Sequence, residues 1–247
     1  MSYQFSPQAF GLVEPDDDRP IELPQASRAE RNVPRASTAH CTVNSVLGNG
    51  AGTRFQSESL LEYRHKLIWS VRDDLADMRE QARFRYGRDK SQEVIFDFYL
   101  TLKDGTRIAC DVKPEVRLKS GRHLNKLQGV AWWVREYDFA DEVRLLTEAD
   151  IDSVELFNAK VLSAVGNADP TADAAAMAVV NRLEGVRSLH DLTSEVGLHA
   201  RGRNALLRLI RVGILRTLGD VRIKPEVLLR RVEKGRGCVA EPPSLKP

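Results

Sequence analysis

Two short motifs on neighbouring predicted strands carry the residue types that hold a divalent cation. Asp97 lies between Phe96 and Phe98 in an apolar stretch, and Asp111 and Lys113 belong to an Asp-Val-Lys motif one hairpin later. A carboxylate inside an apolar strand is costly unless it has a partner, and hard Mg²⁺ ions prefer carboxylate oxygens. The pattern therefore favours a metal site shared by Asp97 and Asp111.

Such a site suits phosphodiester cleavage. That reaction must place a water in line with the phosphorus and stabilise charge on the leaving oxygen, and Mg²⁺ does both, with Mn²⁺ as a substitute. Side chains alternate along a strand, so Lys113 shares a face with Asp111 and its ammonium can orient the water or neutralise the phosphate. The carbonyl of Val112 is a further candidate ligand. The same spacing also fits a surface hairpin of solvated charges.

The elements that must position these residues follow from hydrophobic periodicity and turn signals. The Asp-Gly pair at 104–105 predicts a tight hairpin. In order, the predicted elements are a helix over 57–75, an edge strand at 77–81, strands over 94–102 and 107–112, a helix over 121–136 and a strand at 143–146. This order predicts an α/β domain with a mixed sheet flanked by helices.

A second, helical part follows a connecting helix at 154–165 and a boundary at 167–170. Its pattern predicts helices over 173–183, from Ser188 to Gly197 and over 200–212, then a hairpin whose strands cover 214–218 and 221–223. Helix, turn, helix and hairpin is typical of a small winged-helix-like domain. The third helix carries the candidate DNA-binding residues Arg201, Arg203 and Arg208, although many winged helices bind proteins instead.

Proline content, charge distribution and cysteine spacing indicate the domain organisation and the cellular compartment. Prolines punctuate residues 1–50, which predicts an extended arm. The predicted domains are therefore 1–50, a catalytic domain at 51–152 and a winged-helix-like domain at 153–240. Basic residues outnumber acidic ones after residue 170, which suits a binder of polyanions, although charge alone is explained equally well by a chance imbalance on a solvated surface. Three well-separated cysteines, no secretory signal and no long apolar run predict a cytoplasmic protein without a membrane span.

Several motifs resemble the TnsA family, the endonuclease subunit of cut-and-paste transposons. The Asp…Asp-x-Lys pattern itself is that of the restriction-endonuclease-like nucleases. The resemblance covers residues 55–150 well and 155–235 more loosely. It rests on Ser-Leu-Leu-Glu at 59–62, Asp-Met-Arg-Glu-Gln at 77–81, Asp-Phe-Tyr-Leu at 97–100, Lys-Asp-Gly at 103–105, Asp-Val-Lys-Pro at 111–114 and Leu-Asn-Lys-Leu at 124–127.

The resemblance implies a Mg²⁺-dependent DNA endonuclease that cleaves transposon 5′ ends. Its partners would be DNA, a TnsB-like transposase and a TnsC-like AAA+ ATPase. The family's catalytic acid falls on Glu62, with Glu58 as the rival one helical turn away, its metal-binding aspartate on Asp97 and its lysine on Lys113. The family's best-known member has glutamine where this chain has Asp111, and a carboxylate binds Mg²⁺ better than an amide does.

Two alternatives stay open at this point. A stand-alone restriction or repair nuclease would use the same residues without partners, and a non-catalytic DNA-binding adaptor would keep only the scaffold.

Lys119, Arg122 and Lys126 follow the proposed metal strand. They are candidates for holding DNA phosphates near the cut, or they form an ordinary exposed helix face.

Overall fold

A four-stranded mixed sheet flanked by helices organises the first part of the chain, in a computed structural model that describes residues 22–31 and 41–232. Its strands are β3 (Leu75–Tyr86), β4 (Gln92–Leu102), β5 (Arg107–Val112) and β6 (Glu142–Leu146). They lie in the order β3-β4-β5-β6; the first two pairings are antiparallel, and β5 and β6 are parallel. The prediction of an α/β chain with a mixed, helix-flanked sheet is therefore confirmed.

Both faces of this sheet are buried, which explains why its central strands are almost wholly apolar. Leu67 and Ile68 of α1 (Leu60–Ser70) pack with Phe98 on one face. On the other face, α3 (Arg122–Glu136) supplies Leu127, Val130 and Val134 to a separate core. A short helix, α2 (Glu115–Leu118), leads from β5 into α3. The two helices α1 and α3 thus hold the sheet from opposite sides.

The first helix is shorter than its apolar stripe predicted. It begins after Ser59, whose hydroxyl accepts a hydrogen bond from Glu62 N, and it ends at Ser70. Arg72 and Asp74 then form a side-chain ion pair in the turn, and Leu75 begins β3 instead of ending the helix. The spacing that suggested a longer helix came from apolar residues that belong to two consecutive elements.

Part of the predicted N-terminal arm is a β-hairpin. Strands β1 (Val43–Leu47) and β2 (Thr53–Ser57) pair antiparallel across a glycine-containing turn. Gly52 has φ +70, and a Cβ there would lie 2.7 Å from Val46 Cγ1, so only glycine fits without displacement. Residues 1–21 and 32–40 of the predicted arm, and 233–240 of the predicted last domain, lie outside the described residues.

The second part contains helices packed around their own apolar core, together with a small three-stranded sheet. The elements are α4 (Ser153–Ser163), α5 (Pro170–Asn181), β7 (Val186–Ser188), α6 (Leu189–Val196), α7 (His199–Arg211), β8 (Leu215–Thr217) and β9 (Leu228–Arg231). The strands of the small sheet lie in the order β7-β9-β8. Helix α4 contributes Ala159 to the core of the first part and Leu162 to that of the second.

The prediction that residues 221–223 form the returning strand of the last hairpin is wrong. Strand β9 pairs with β8 instead, and β7 pairs with the other edge of β9. The side chain of Asn158 explains the difference. Its Nδ2 donates to Val221 O at 2.9 Å and its Oδ1 accepts from Ile223 N at 2.7 Å, so these backbone groups are satisfied without a strand partner.

No helix among the described residues has the length and apolar character needed to cross a bilayer. The longest described helix, α3, has exposed charged residues along it.

Arg211 joins the two parts of the chain. Its buried guanidinium donates to Gly48 O at 2.8 Å, Leu162 O at 3.2 Å and Ser70 O at 3.4 Å. These carbonyls belong to the turn after β1, to α4 and to the last residue of α1. One side chain of α7 therefore fixes the second part against the first.

We expect Arg211→Ala to lower the free energy of unfolding by about 2–4 kcal/mol, because it leaves buried carbonyls without a charged donor. Urea-induced unfolding measures the change. Arg230→Ala, at an exposed arginine on β9, is the control and should change stability by less than about 0.5 kcal/mol. Equal stability of the two variants would contradict this role of Arg211.

Candidate active site

Asp97 lies where the two central strands separate. Backbone pairing between β4 and β5 ends at Phe98 and Cys110. Just beyond that pair, Asp97 Oδ2 accepts a hydrogen bond of 2.7 Å from Val112 N. The carboxylate thus replaces the strand carbonyl as partner of this backbone amide, and the side chain is buried. The sequence places an acid in an apolar strand because the strand divergence needs an acceptor at this position.

Lys113 brings a positive charge between the two predicted aspartates. Its Nζ donates to Asp111 Oδ1 at 3.0 Å and to Val112 O at 3.1 Å, and it lies 3.6 Å from Asp97 Oδ2. One ammonium group therefore faces three oxygens, two from the consecutive residues Asp111 and Val112 and one from Asp97 on the neighbouring strand. The structure brings Asp97, Asp111, Val112 and Lys113 together as the sequence predicted.

Glu62 is the acid of α1 that reaches this cluster. Its carboxylate accepts from Glu58 N at 2.9 Å and from Ser59 Oγ at 3.1 Å. Glu62 is only 6 % exposed, and its charge is one of the causes that raise the pKa of Asp97. The rival acid, Glu58, has a side chain 37 % exposed and pairs with Arg31. The geometry therefore favours Glu62 over Glu58.

The neighbouring charges alter the ionisation of Asp97 and Lys113. Burial, followed by the charge of Glu62, raises the pKa of Asp97 to about 7, although Lys113 acts in the opposite direction. Burial alone lowers the pKa of Lys113, but the charges of Asp97 and Asp111 outweigh it, so the net shift is upward. The lysine is consequently an ammonium group at neutral pH, and Asp97 is poised between its two states.

A buried ion pair beneath the cluster was not anticipated. Lys66 is fully buried; its Nζ donates to Gln56 O at 2.7 Å and lies 3.7 Å from Glu80 Oε2. Glu80 also accepts from Gln56 N at 2.5 Å and from Ser27 Oγ. Burial lowers the pKa of Lys66, while Glu62 acts against this. The one available signal was the four-residue spacing that places Lys66 one helical turn after Glu62.

The described N-terminal segment, residues 22–31, also reaches this region. Arg31 Nε donates to Gln81 Oε1 at 3.0 Å, and its guanidinium pairs with Glu58. Gln81 is fully buried, has φ +47 and lies between Glu80 and Ala82, which pair with Phe98 and Phe96 of β4. Its Nε2 has no hydrogen-bond partner among the described residues. The sequence offered no periodic signal for these contacts.

His123 is the functional candidate that sequence reasoning passed over. It stands in the first turn of α3, and its Nε2 donates to Asp111 Oδ2. No histidine of this chain has ligand-like spacing to another, so local sequence gave no reason to select it. Only the packing of α3 against the sheet brings its ring to Asp111.

The three predicted DNA contacts next to the site are exposed. Lys119 lies in the turn before α3, and Arg122 and Lys126 occupy one exposed strip of that helix. They flank the helical turn that carries His123. Their side chains are therefore accessible to a polyanion that approaches the carboxylate cluster.

The arginines of α7 have other partners. Arg201 forms a two-point ion pair with Asp169, at 2.7 and 2.9 Å. Arg208 pairs with Asp173 at 2.6 Å. Both aspartates belong to the start of α5, so these arginines tie two helices together, whereas Arg203 is half-buried. The structure gives Arg201 and Arg208 an internal role besides any contact with DNA.

The oxygens around Lys113 suit a hard divalent cation. Within the described ranges, no three histidine, cysteine or acidic side chains form a ready-made metal-ligand cluster. However, two carboxylates and one backbone carbonyl already surround a cationic group, the Lys113 ammonium. Carboxylate and carbonyl oxygens are the ligands that Mg²⁺ takes. The residues present therefore fit the expected ion.

Comparisons with protein-family models and with curated proteins find no match to this chain. The functional interpretation therefore depends on the chemistry of the site: three acids, a lysine and a histidine gathered where β4 and β5 separate.

The raised pKa of Asp97 makes stability depend on pH. The folded-state pKa of Asp97 lies above its ordinary value of 3.8, so the folded protein holds this proton more tightly than the unfolded chain does. The free energy of unfolding therefore falls as the pH rises from about 4 to about 7. Asp97→Asn keeps the acceptor for Val112 N without the charge. In metal-free buffer, we expect the stability of this variant relative to the parent to increase from pH 4 to pH 7, by up to about 4 kcal/mol.

Urea unfolding of both proteins across that pH range tests the prediction. A stability difference that stayed constant with pH would show that Asp97 ionises normally in the fold.

Proposed function

We propose that this chain is a Mg²⁺-dependent DNA endonuclease of the TnsA type, which cleaves the 5′ ends of a transposon together with a partner transposase. The observation that carries the proposal is the position of the Lys113 ammonium among the oxygens of Asp97, Asp111 and Val112. A cation site formed by two carboxylates beside a lysine is suited to metal-assisted phosphodiester cleavage.

Each residue of the cluster has a role in this proposal. Glu62, Asp97, Asp111 and the Val112 carbonyl hold the cation, with Mn²⁺ as a substitute for Mg²⁺. When bound, the ion activates the attacking water and stabilises charge on the leaving oxygen. Lys113 orients the water or neutralises the scissile phosphate, and its raised pKa keeps it positively charged for that purpose. Asp97 and Val112 N lock the diverging strands in place.

The arrangement of elements supports the two fold families in the proposal. A mixed sheet between α1 and α3, with the acids at the divergence of β4 and β5, supports a restriction-endonuclease-like domain. In the second part, the order α5, β7, α6, α7, β8 and β9 with a three-stranded sheet supports a winged-helix-like domain.

We assign DNA contact chiefly to the first part. Lys119, Arg122 and Lys126 are exposed next to the carboxylates, where they would hold phosphates near the cut. Arg201 and Arg208 are engaged with aspartates of α5. The second part is therefore assigned to a protein partner, in keeping with a TnsC-like ATPase or a TnsB-like transposase.

One observation favours a second candidate, a stand-alone restriction or repair nuclease. Asp111 stands where the best-known TnsA protein has glutamine, and its carboxylate contacts both Lys113 and His123. With Asp111 as a further acid beside Glu62 and Asp97, this chain would hold the cation without a residue from a partner. Cleavage by the purified chain alone would favour this candidate, whereas activity only with transposase proteins would favour the TnsA type.

Substitutions in the cluster test the nuclease proposal. We expect Glu62→Gln, Asp97→Asn, Asp111→Asn and Lys113→Ala each to reduce Mg²⁺-dependent nicking of plasmid DNA by about 10²-fold or more. Assays run with and without the neighbouring transposase proteins. Asp104→Asn, in the exposed hairpin turn, is the control and should cut normally. Undiminished cleavage by Asp97→Asn would overturn the assignment, and a parent that neither cuts DNA nor binds metal would be an adaptor.

Salt dependence tests the DNA-contacting surface. We expect Lys119→Ala, Arg122→Ala and Lys126→Ala to weaken binding to duplex DNA, and to reduce the slope of log K against log salt by about 0.9 for each phosphate that the variant no longer neutralises. Fluorescence anisotropy across a salt series measures both quantities. Arg135→Ala, in the last turn of α3, is the matched control. If the slope of log K against log salt were the same in the control and in all three variants, these residues would not contact DNA phosphates.

A further inference from the structure

Both oxygens of Asp111 are held by different side chains. Lys113 Nζ donates to Oδ1 at 3.0 Å, and His123 Nε2 donates to Oδ2. The Asp111 side chain is 8 % exposed, while that of His123 is 28 % exposed. The imidazole therefore closes the outer side of a carboxylate that is otherwise buried.

The position of His123 is fixed by the core and not by local contacts alone. Helix α3 follows Gly121, whose φ of +69 turns the chain, and no side chain caps this helix end. Leu127, Val130 and Val134 anchor α3 on the sheet. Because the sheet also carries Asp111, the distance between His123 and that carboxylate is set by rigid elements on both sides.

The two donors on Asp111 differ in what a cation would do to them. Lys113 Nζ lies beside Oδ1 of Asp111, the Val112 carbonyl and Oδ2 of Asp97. The proposed ion would bind the same oxygens, so the lysine and the metal compete for them. His123 holds the other oxygen, Oδ2. Its hydrogen bond can persist when the ammonium gives way, and it then becomes the remaining anchor of the carboxylate.

We propose that His123 is a positioning residue that fixes the orientation of Asp111 for the divalent cation. This inference rests on the proposed nuclease function. Hydrogen-bond partners that orient metal-binding carboxylates typically contribute 10–100-fold to metal affinity. His123 thus links the first turn of α3, which also carries the exposed Arg122, to the proposed metal site.

The experiment compares two polar replacements with different reach. His123→Gln retains an N–H donor near the position of Nε2, whereas the shorter side chain in His123→Asn does not extend to Asp111. Mn²⁺ binding to the purified chain is titrated by the loss of the free-ion EPR signal. We expect His123→Asn to weaken Mn²⁺ binding by about 10–100-fold and His123→Gln to retain most of the parent's affinity.

His190→Ala, at an exposed histidine of α6, should bind Mn²⁺ as the parent does. The metal-free variants should unfold at the same temperature as the parent. If His123 had only a structural role, both replacements would lower the unfolding temperature, and His123→Gln and His123→Asn would not differ in Mn²⁺ affinity. Parent-like affinity in His123→Asn, or equal loss in both replacements, would overturn the role of His123 alone. A parent that bound no Mn²⁺ would overturn the proposed function as well.

Discussion

The hydrogen bond from Val112 N to Asp97 Oδ2 is the contact on which the candidate site depends. Where β4 and β5 stop pairing, a buried backbone amide needs an acceptor, and an unpaired one would cost about 1–3 kcal/mol. Asp97 supplies the acceptor from the neighbouring strand. The cost is a carboxylate placed in an apolar interior, and the surrounding charges follow from that placement.

The protein offsets this buried negative charge with lysines on two sides. Lys113 faces Asp97 and Asp111 from the end of β5, and Lys66 lies beneath them beside Glu80. A buried acid without such partners would be neutral at ordinary pH. The arrangement keeps a set of oxygens directed at one cation, which is the property that a metal-dependent nuclease needs. Structural stability and the proposed chemistry therefore depend on the same charges.

The second part of the chain is organised by arginines that act internally. Arg211 reaches across to the turn after β1 and to α1, while Arg201 and Arg208 connect α7 with α5. A helix that looks like a DNA-reading element by composition is thus largely committed to packing. The exposed Lys119, Arg122 and Lys126 lie at and just before the start of α3, and in our proposal the second part contacts a protein partner.

Local sequence determined the elements and the acids. Apolar alternation, the Asp-Gly turn and the Asp-Val-Lys motif predicted β4, β5 and the cluster of Asp97, Asp111 and Lys113, because period and turn chemistry act over a few residues. Tertiary structure alone decided the rest. His123 and Arg31 reach the site through packing between separate segments, and Asn158 displaced the last strand by capturing backbone groups some 63–65 residues away. Such contacts leave no periodic trace in a sequence, since their geometry is set by how rigid elements pack.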